Sequence, residues 1–261
     1  EKMLFSIGVN EFLTSIEKVV FACSTDISVG KIQQSGVYVE ALKEEENKIN
    51  FVGLDGFRLS SRVTKVNKIE RDNFTEPLII PSKYITEVAK IAQDSSDVDE
   101  IEVYLSENKS QVLFKFEDVE FSIRLLEGPY PDYKKILPDS FTYAFEVKKA
   151  DLEDAIKIAN TFARGNLSNK TLFDLDVESS QVKLKSVVAE VGDNEAVFDV
   201  NSIDADTDLN AAYNLKFIQD AVSHIKSDVV RIETKGPLAA SVFKDNKDEG
   251  FLYLLMPLRR D

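Results

Sequence analysis

Most enzymatic mechanisms draw on histidine, cysteine, paired carboxylates or a glycine-rich loop, and this chain is poor in the first two and lacks the last. Its one histidine, His224, lies in Asn214-Leu-Lys-Phe-Ile-Gln-Asp-Ala-Val-Ser-His-Ile-Lys226. There Leu215, Phe217, Ile218, Ala221, Val222 and Ile225 have the spacing of an amphipathic helix. His224 falls beside that stripe with no cysteine or second histidine near it, so it reads as an exposed helix residue rather than a general base. Any nucleophilic triad would have to be assembled around it. The one cysteine, Cys23, excludes an internal disulfide and a multi-thiolate metal site. None of the ten glycines opens a G-x-x-x-x-G-K-[ST] loop or a G-x-G-x-x-G fingerprint. Asp204-Ala-Asp-Thr-Asp208 begins like a calcium loop, yet its sixth position is not glycine and its twelfth is Leu215. It reads as an acidic turn. The remaining enzymatic option is a metal hydrolase built on scattered carboxylates. The expectation is a non-catalytic chain with no catalytic residues, no metal and no cofactor.

The elements around these residues follow from composition and periodicity. The 261 residues carry 32 Lys and Arg against 46 Asp and Glu, a formal charge of −14. An apolar fraction of 43% is enough for ordinary cores. That length suits one large or two modest domains. No apolar run approaches the ~18 residues of a membrane span, and no signal pattern opens the chain, so a cytoplasmic location is expected.

The chain uses one pattern twice. Phe5-Ser-Ile7 runs into Val9–Ala22, and Phe145-Glu-Val147 runs into Lys149–Phe162, each a short strand followed by a helix. Val9, Phe12, Leu13, Ile16, Val19 and Val20 form the first helix stripe; Leu152, Ala155, Ile156, Ala159 and Phe162 form the second. Asn10 and Asp151 stand where caps or dipole-favoured acids belong. A second helix pair, Lys83–Ala89 and Lys216–Val222, follows in the same order. Each meets a polar turn, Ser96-Asp97 or Ser227-Asp228, and then a strand. Charged runs at 44–47, 107–109 and 244–249, and polar ones at 178–181 and 193–195, read as solvated turns. The predicted order is β-α-β-β-β-α-β-β-β, repeated. This is an α+β duplication of domains 1–139 and 140–261, each with two helices on antiparallel sheet and the seam near Pro138-Asp-Ser140.

Three segments go beyond pattern. Arg124-Leu-Leu-Glu-Gly-Pro-Tyr-Pro-Asp-Tyr-Lys-Lys-Ile-Leu-Pro138 resembles the inter-domain segment of the bacterial sliding clamp, the beta subunit of DNA polymerase III. Leu54-Asp-Gly-Phe-Arg-Leu-Ser60 resembles that family's D-G-H-R-L stretch, with Phe57 in place of His. Leu255-Met-Pro-Leu-Arg259 resembles its M-P-M-R ending, extended here by Arg260-Asp261. The chain is similar to the second and third of the family's three clamp-type domains. Its start at Glu1 and the want of a counterpart to the first domain read as a cut start.

The resemblance implies a non-catalytic processivity factor for DNA replication, a head-to-tail dimeric ring of six domains around duplex DNA. Sliding needs phosphate contacts without base readout; the outward helix cations are Lys18, Lys83, Lys90, Lys157, Lys216 and Lys226. It further implies a cleft between the two domains that takes Gln- and Leu/Phe-containing tails of the polymerase catalytic subunit, the clamp loader and repair proteins. Carried over, its walls are Leu54, Gly56, Phe57, Arg58 and Leu59, then Pro131, Lys135 and Ile136 of the connecting segment. The rest are Asn214, Phe217, Leu238, Ala240, Leu254, Met256, Pro257, Leu258 and Arg259. Asn214, Arg58 and Arg259 would orient amide or carboxylate groups. Leu54, Leu59, Ile136 and Leu254 are equally of a type found in cores. The alternative function is a stand-alone peptide-binding module of the same fold that never encircles DNA. The chain by itself is expected to be monomeric.

Overall fold

Amphipathic helices need a sheet to cover them, and in the computed structural model each of four helices finds one. Residues 1–95, 98–163, 169–188 and 192–260 are described; the predicted turn Ser96-Asp97, residue Asp261 and the side chain of Phe162 lie outside them. The chain divides into two units, Glu1–Pro131 and Asp132–Asp261. The segment from 132 to 139 therefore goes with the second unit.

The first unit runs β1 (Lys2–Gly8), α1 (Val9–Val20), β2 (Gly36–Ala41), β3 (Lys48–Leu54), β4 (Arg58–Lys65), β5 (Lys68–Ile69), β6 (Leu78–Pro81), α2 (Ser82–Asp94), β7 (Glu100–Leu105), β8 (Gln111–Phe116) and β9 (Val119–Arg124). Its strands form two antiparallel sets, β5-β1-β7-β8-β9 and β4-β3-β2-β6. The helices pack on each other and against strands of both sets. Phe12, Ile16 and Val19 of α1 and Ile85, Val88 and Ala92 of α2 are buried there, in one core with Phe5, Phe51 and Phe114. The second unit runs β10 (Tyr143–Lys148), α3 (Lys149–Ala163), β11 (Lys170–Asp176), β12 (Gln181–Val188), β13 (Gly192–Asp204), β14 (Leu209–Asn214), α4 (Leu215–Ser223), β15 (Val229–Thr234), β16 (Ser241–Asp245) and β17 (Asp248–Leu255). Its strand order is β14-β11-β12-β13-β10-β15-β16-β17, all antiparallel. The long β13 pairs with β12 over Gly192–Asp199 and with β10 over Val200–Asp204. Leu152, Ala155, Ile156 and Ala159 of α3 are buried, as are Leu215, Ile218, Ala221 and Val222 of α4.

The α+β duplication stands, with four helices in the predicted order. Several local expectations change. Between its helices each unit has at least four strands rather than three. Those missing from the prediction include β4, whose Ser60, Ser61, Arg62 and Thr64 are buried although polar. Asn10 is not a cap: Gly8 occupies that position and makes no side-chain bond. Residues 193–195 are strand rather than turn, within β13. Asp245, expected in a solvated loop, is buried because its carboxylate accepts the backbone N–H of Lys226 at 2.7 Å, Ser227 at 3.1 Å and Lys247 at 3.0 Å. His224 ends α4 at its C-cap, half-buried, with Nδ1 2.7 Å from the Asp220 carbonyl.

Gly53 marks the tightest packing of the first unit. A Cβ there would stand 2.3 Å from the Val19 carbonyl oxygen of α1 and 2.9 Å from Cys23 Sγ. The helix backbone therefore lies directly on β3. Gly53→Ala is expected to destabilise the fold by about 1–3 kcal/mol, the range for overpacking a filled core, read as a lower urea midpoint at unchanged slope.

Candidate peptide-binding residues

In the first unit the expected wall is a single tight turn. Leu54 and Leu59 are cross-strand partners at the end of the β3–β4 hairpin, and Asp55 to Arg58 connect them. Gly56 supplies φ +89°, a left-handed conformation open to glycine at no steric cost. The Asp55 carboxylate accepts the backbone N–H of Phe57 at 2.9 Å and of Arg58 at 3.0 Å, and Arg58 Nε donates to its other oxygen at 2.9 Å. Arg58 also donates to the Phe21 carbonyl at 2.9 Å and lies over the Phe21 ring. Its guanidinium is thereby fixed in place, and the turn throws Phe57 outward.

In the second unit the residues fall on several elements. Asn214 ends β14 and caps α4, its side-chain oxygen accepting the Lys216 backbone N–H at 3.0 Å. One turn on, the Phe217 carbonyl accepts the Tyr253 hydroxyl of β17 at 3.0 Å, which ties α4 to the last strand. Leu238 and Ala240 lie between β15 and β16. The pairing Ser241↔Leu255 is the last rung of the β16–β17 ladder, with Ala240 and Met256 just beyond it on their two chains. Met256, Pro257, Leu258 and Arg259 form a tail without regular structure, held to β14 by the Leu258 N–H on the Ala212 carbonyl at 2.7 Å. Lys135 and Ile136 occupy a separate helical turn, Tyr133–Ile136, where Lys135 pairs with Asp132 at 2.9 Å. Pro131 is exposed at the end of the first unit.

Burial separates the predicted wall residues into two groups. Phe57 is 63% exposed, Ile136 46%, Leu238 75% and Met256 39%, four of the ten exposed large apolar side chains among the described residues. An apolar surface left to water at this cost is a candidate contact. Leu54, Leu59 and Leu254 are corrected to core: they are buried, because their strands place them beneath the surface. Asn214 and Arg58 are committed to the cap and the turn rather than standing open for a ligand; Arg259 is exposed. The reading by residue type missed the central part of Asp55, for which the Asp-Gly turn signal was the available clue.

The expected cations also divide. Lys18 is fully buried on the inner face of α1, where Ser60 of β4 donates to its carbonyl, so it cannot face DNA. Lys83, Lys90, Lys157, Lys216 and Lys226 are exposed. Lys90 pairs with Glu87 at 2.9 Å and Lys157 with Asp154 at 2.8 Å, which offsets their charge.

Residues 6–132 match the family profile of the DNA polymerase III beta subunit, central domain, and residues 134–259 that of its C-terminal domain. The chain belongs to the bacterial sliding-clamp family. The Beta sliding clamp of Staphylococcus aureus is 28% identical to it over 215 residues, 82% of this chain and 54% of that relative. The solved DNA polymerase sliding clamp from Bacillus subtilis is 25% identical with a TM-score of 0.88, covering 100% of this chain and 65% of that one. The DNA polymerase III beta subunit from Thermotoga maritima, 23% identical, has the same fold at a TM-score of 0.88, over 100% of this chain and 67% of that one. The chain thus spans about half the length of the curated relative and about two thirds of the solved chains.

The Asp55 carboxylate is expected to hold up the whole clamp turn. With side-chain exposures of 14% for Asp55 and 10% for Arg58, the pair is nearly dry. Asp55→Ala removes the carboxylate that balances that guanidinium's charge and is expected to cost roughly 3 kcal/mol. Chemical denaturation of the variant beside Arg58→Gln measures it; a loss below that of an ordinary surface substitution refutes the assignment.

Proposed function

We propose that this chain is a portion of a sliding clamp that, when complete, encircles duplex DNA and catalyses nothing itself. It tethers the replicative polymerase through short peptides, and the clamp loader and repair proteins use the same residues in the cytoplasm. The observation that supports this reading is the exposure of Phe57, Ile136, Leu238 and Met256 at positions where the family resemblance puts peptide contacts. Apolar anchors on a peptide bury such groups, and Met256 adds a deformable surface suited to several related sequences.

Ring closure in the family joins the third domain of one subunit to the first domain of the next. The corresponding surface in this chain is the edge of β13. Its residues Gly192–Asp199 pair with β12 on one side, and no strand lies along their other side among the described pairings. Beside that edge Ile158 and Val197 are each 46% exposed. Asp151, Asp154, Glu195 and Asp199 line the same depression, of about 520 Å³. An open edge with apolar groups and an acidic border suits addition of a strand from a basic partner surface.

Two measurements test the reading. A synthetic peptide carrying Gln and a Leu-Phe pair is expected to bind with micromolar affinity by calorimetry. Truncation after Leu255, or Phe57→Glu, is expected to abolish binding while the fold persists; unchanged affinity in both would overturn the site. The 261 residues alone are expected to sediment as a monomer and to slip off closed circular DNA as readily as off linear DNA. A stable ring, retained on circles and released when they are cut, would contradict that expectation.

A further inference from the structure

The tail that carries Met256, Pro257 and Leu258 is short and leaves the last strand without regular structure. It needs an anchor beyond its own apolar residues. The Leu258 N–H on the Ala212 carbonyl is one bond. Next to it, Arg260 grips Asp174 of β11 with both guanidinium arms: Nη1 on one carboxylate oxygen and Nη2 on the other at 2.9 Å. Nη1 also reaches the Ala211 carbonyl of β14 at 3.5 Å, and Lys170 Nζ donates to the Arg260 carbonyl at 2.7 Å. The tail is therefore fastened across β14 onto β11, two strands deep, at a point four residues beyond Met256.

The geometry supports more than surface decoration. Asp174 has a side-chain exposure of 16% and Arg260 of 37%, so the carboxylate is largely withdrawn from water and the fork is planar and two-pronged. The carboxylate beside it raises the Arg260 pKa further, so the charge persists at any working pH. Asp174 pairs across the sheet with Asn210 and Lys183, which fixes the height at which the fork is held. Arg260 itself lies past Leu255-Met-Pro-Leu-Arg259, the stretch to which peptide contact is assigned, and its guanidinium is directed to Asp174 and the Ala211 carbonyl.

We infer that the Arg260–Asp174 fork is a positioning latch: it holds the Met256–Leu258 segment in its peptide-receiving course and so sets affinity without touching the peptide. This rests on the peptide-capture reading above. In energetic terms the latch lowers the entropy that the tail would otherwise lose on binding.

The test uses the full chain with Arg260→Gln, Asp174→Asn and the charge-exchanged pair Asp174→Arg with Arg260→Asp. Hydrogen exchange over residues 256–260 reports the latch directly, and anisotropy of a labelled Gln/Leu-Phe peptide reports affinity. Each single variant is expected to speed exchange in that segment and to weaken the peptide by about threefold to fivefold, the scale of one partly exposed ion pair. The exchanged pair is expected to recover both, and the thermal midpoint should move little in any variant. Unchanged exchange in the single variants overturns the latch. Faster exchange with unchanged affinity overturns its positioning role. Failure of the unmodified chain to bind the peptide would instead overturn the reading of the site, and the positioning role with it; the exchange arm tells the two failures apart.

Discussion

The packing of α1 along the β3–β4 hairpin is the constraint on which much of the first unit depends. The helix lies so close to β3 that only glycine fits at position 53. Contact at that distance leaves the polar groups between helix and hairpin without water, so each needs a partner. Arg62 of β4 meets that need by donating to Ser15 at 2.8 Å and pairing with Glu11 at 2.9 Å. Thr64 donates to Glu11 at 2.6 Å, Ser60 to the Lys18 carbonyl and Arg58 to the Phe21 carbonyl. These bonds run the length of the helix, from its first turn to the residue past its last. The Phe57 turn therefore inherits its position from a helix more than thirty residues earlier in the chain.

In the second unit the later helix is fastened by side-chain bonds of its own. Its α4 is capped by Asn214, and its carbonyl at Phe217 takes the Tyr253 hydroxyl, so the helix is fixed to β14 and β17 at once. Tyr213, one residue before the cap, shares a 2.6 Å hydroxyl contact with Ser241, and burial pushes its pKa up to about 12. A neutral phenol at every ordinary pH keeps that contact intact. The counterpart of α1 is α3, which likewise packs on a strand pair, β12 and β13, so the duplication keeps where its first helix sits relative to strands. This is the expected outcome when apolar periodicity defines an element and side-chain hydrogen bonds only place it.

The same distinction explains what could be read from the sequence. The four helices were legible because Phe12, Ile16 and Val19, or Leu215, Ile218 and Val222, repeat at helical spacing. Strand β4 was not, because Ser60, Ser61, Arg62 and Thr64 carry a surface-like composition and are buried through partners on other elements, Ser61 on Asn50 of β3 and the others on α1. Lys18 misled for the same reason: its type belongs outside, and its burial follows from how α1 lies against the hairpin. Among the candidate site residues, Phe57, Leu238, Ile136 and Met256 could be picked out by resemblance and are exposed. Leu54, Leu59 and Leu254 could not be separated from them, since a leucine in a strand gives no sign of which side of the sheet it serves. Arg260 and Asp174 were invisible as a pair, being 86 residues apart with no pattern that couples them.

Charge placement bears on how a clamp of this kind would stay on DNA. The net charge of −14 opposes any strong attraction to phosphate as a whole. The exposed helix cations give local relief, but Lys90 and Lys157 each spend their charge on an acid one turn away. Such pairs contribute little stability, and they cancel the charge of those two lysines locally. A protein that gripped DNA by phosphate neutralisation would want those lysines unpaired, and its binding would collapse with salt. Weak faces are instead an advantage to a ring: residence is set by closure, and friction along the duplex falls as each contact weakens. The acidic border at Asp151, Asp154, Glu195 and Asp199 repels phosphate and favours a basic protein surface instead.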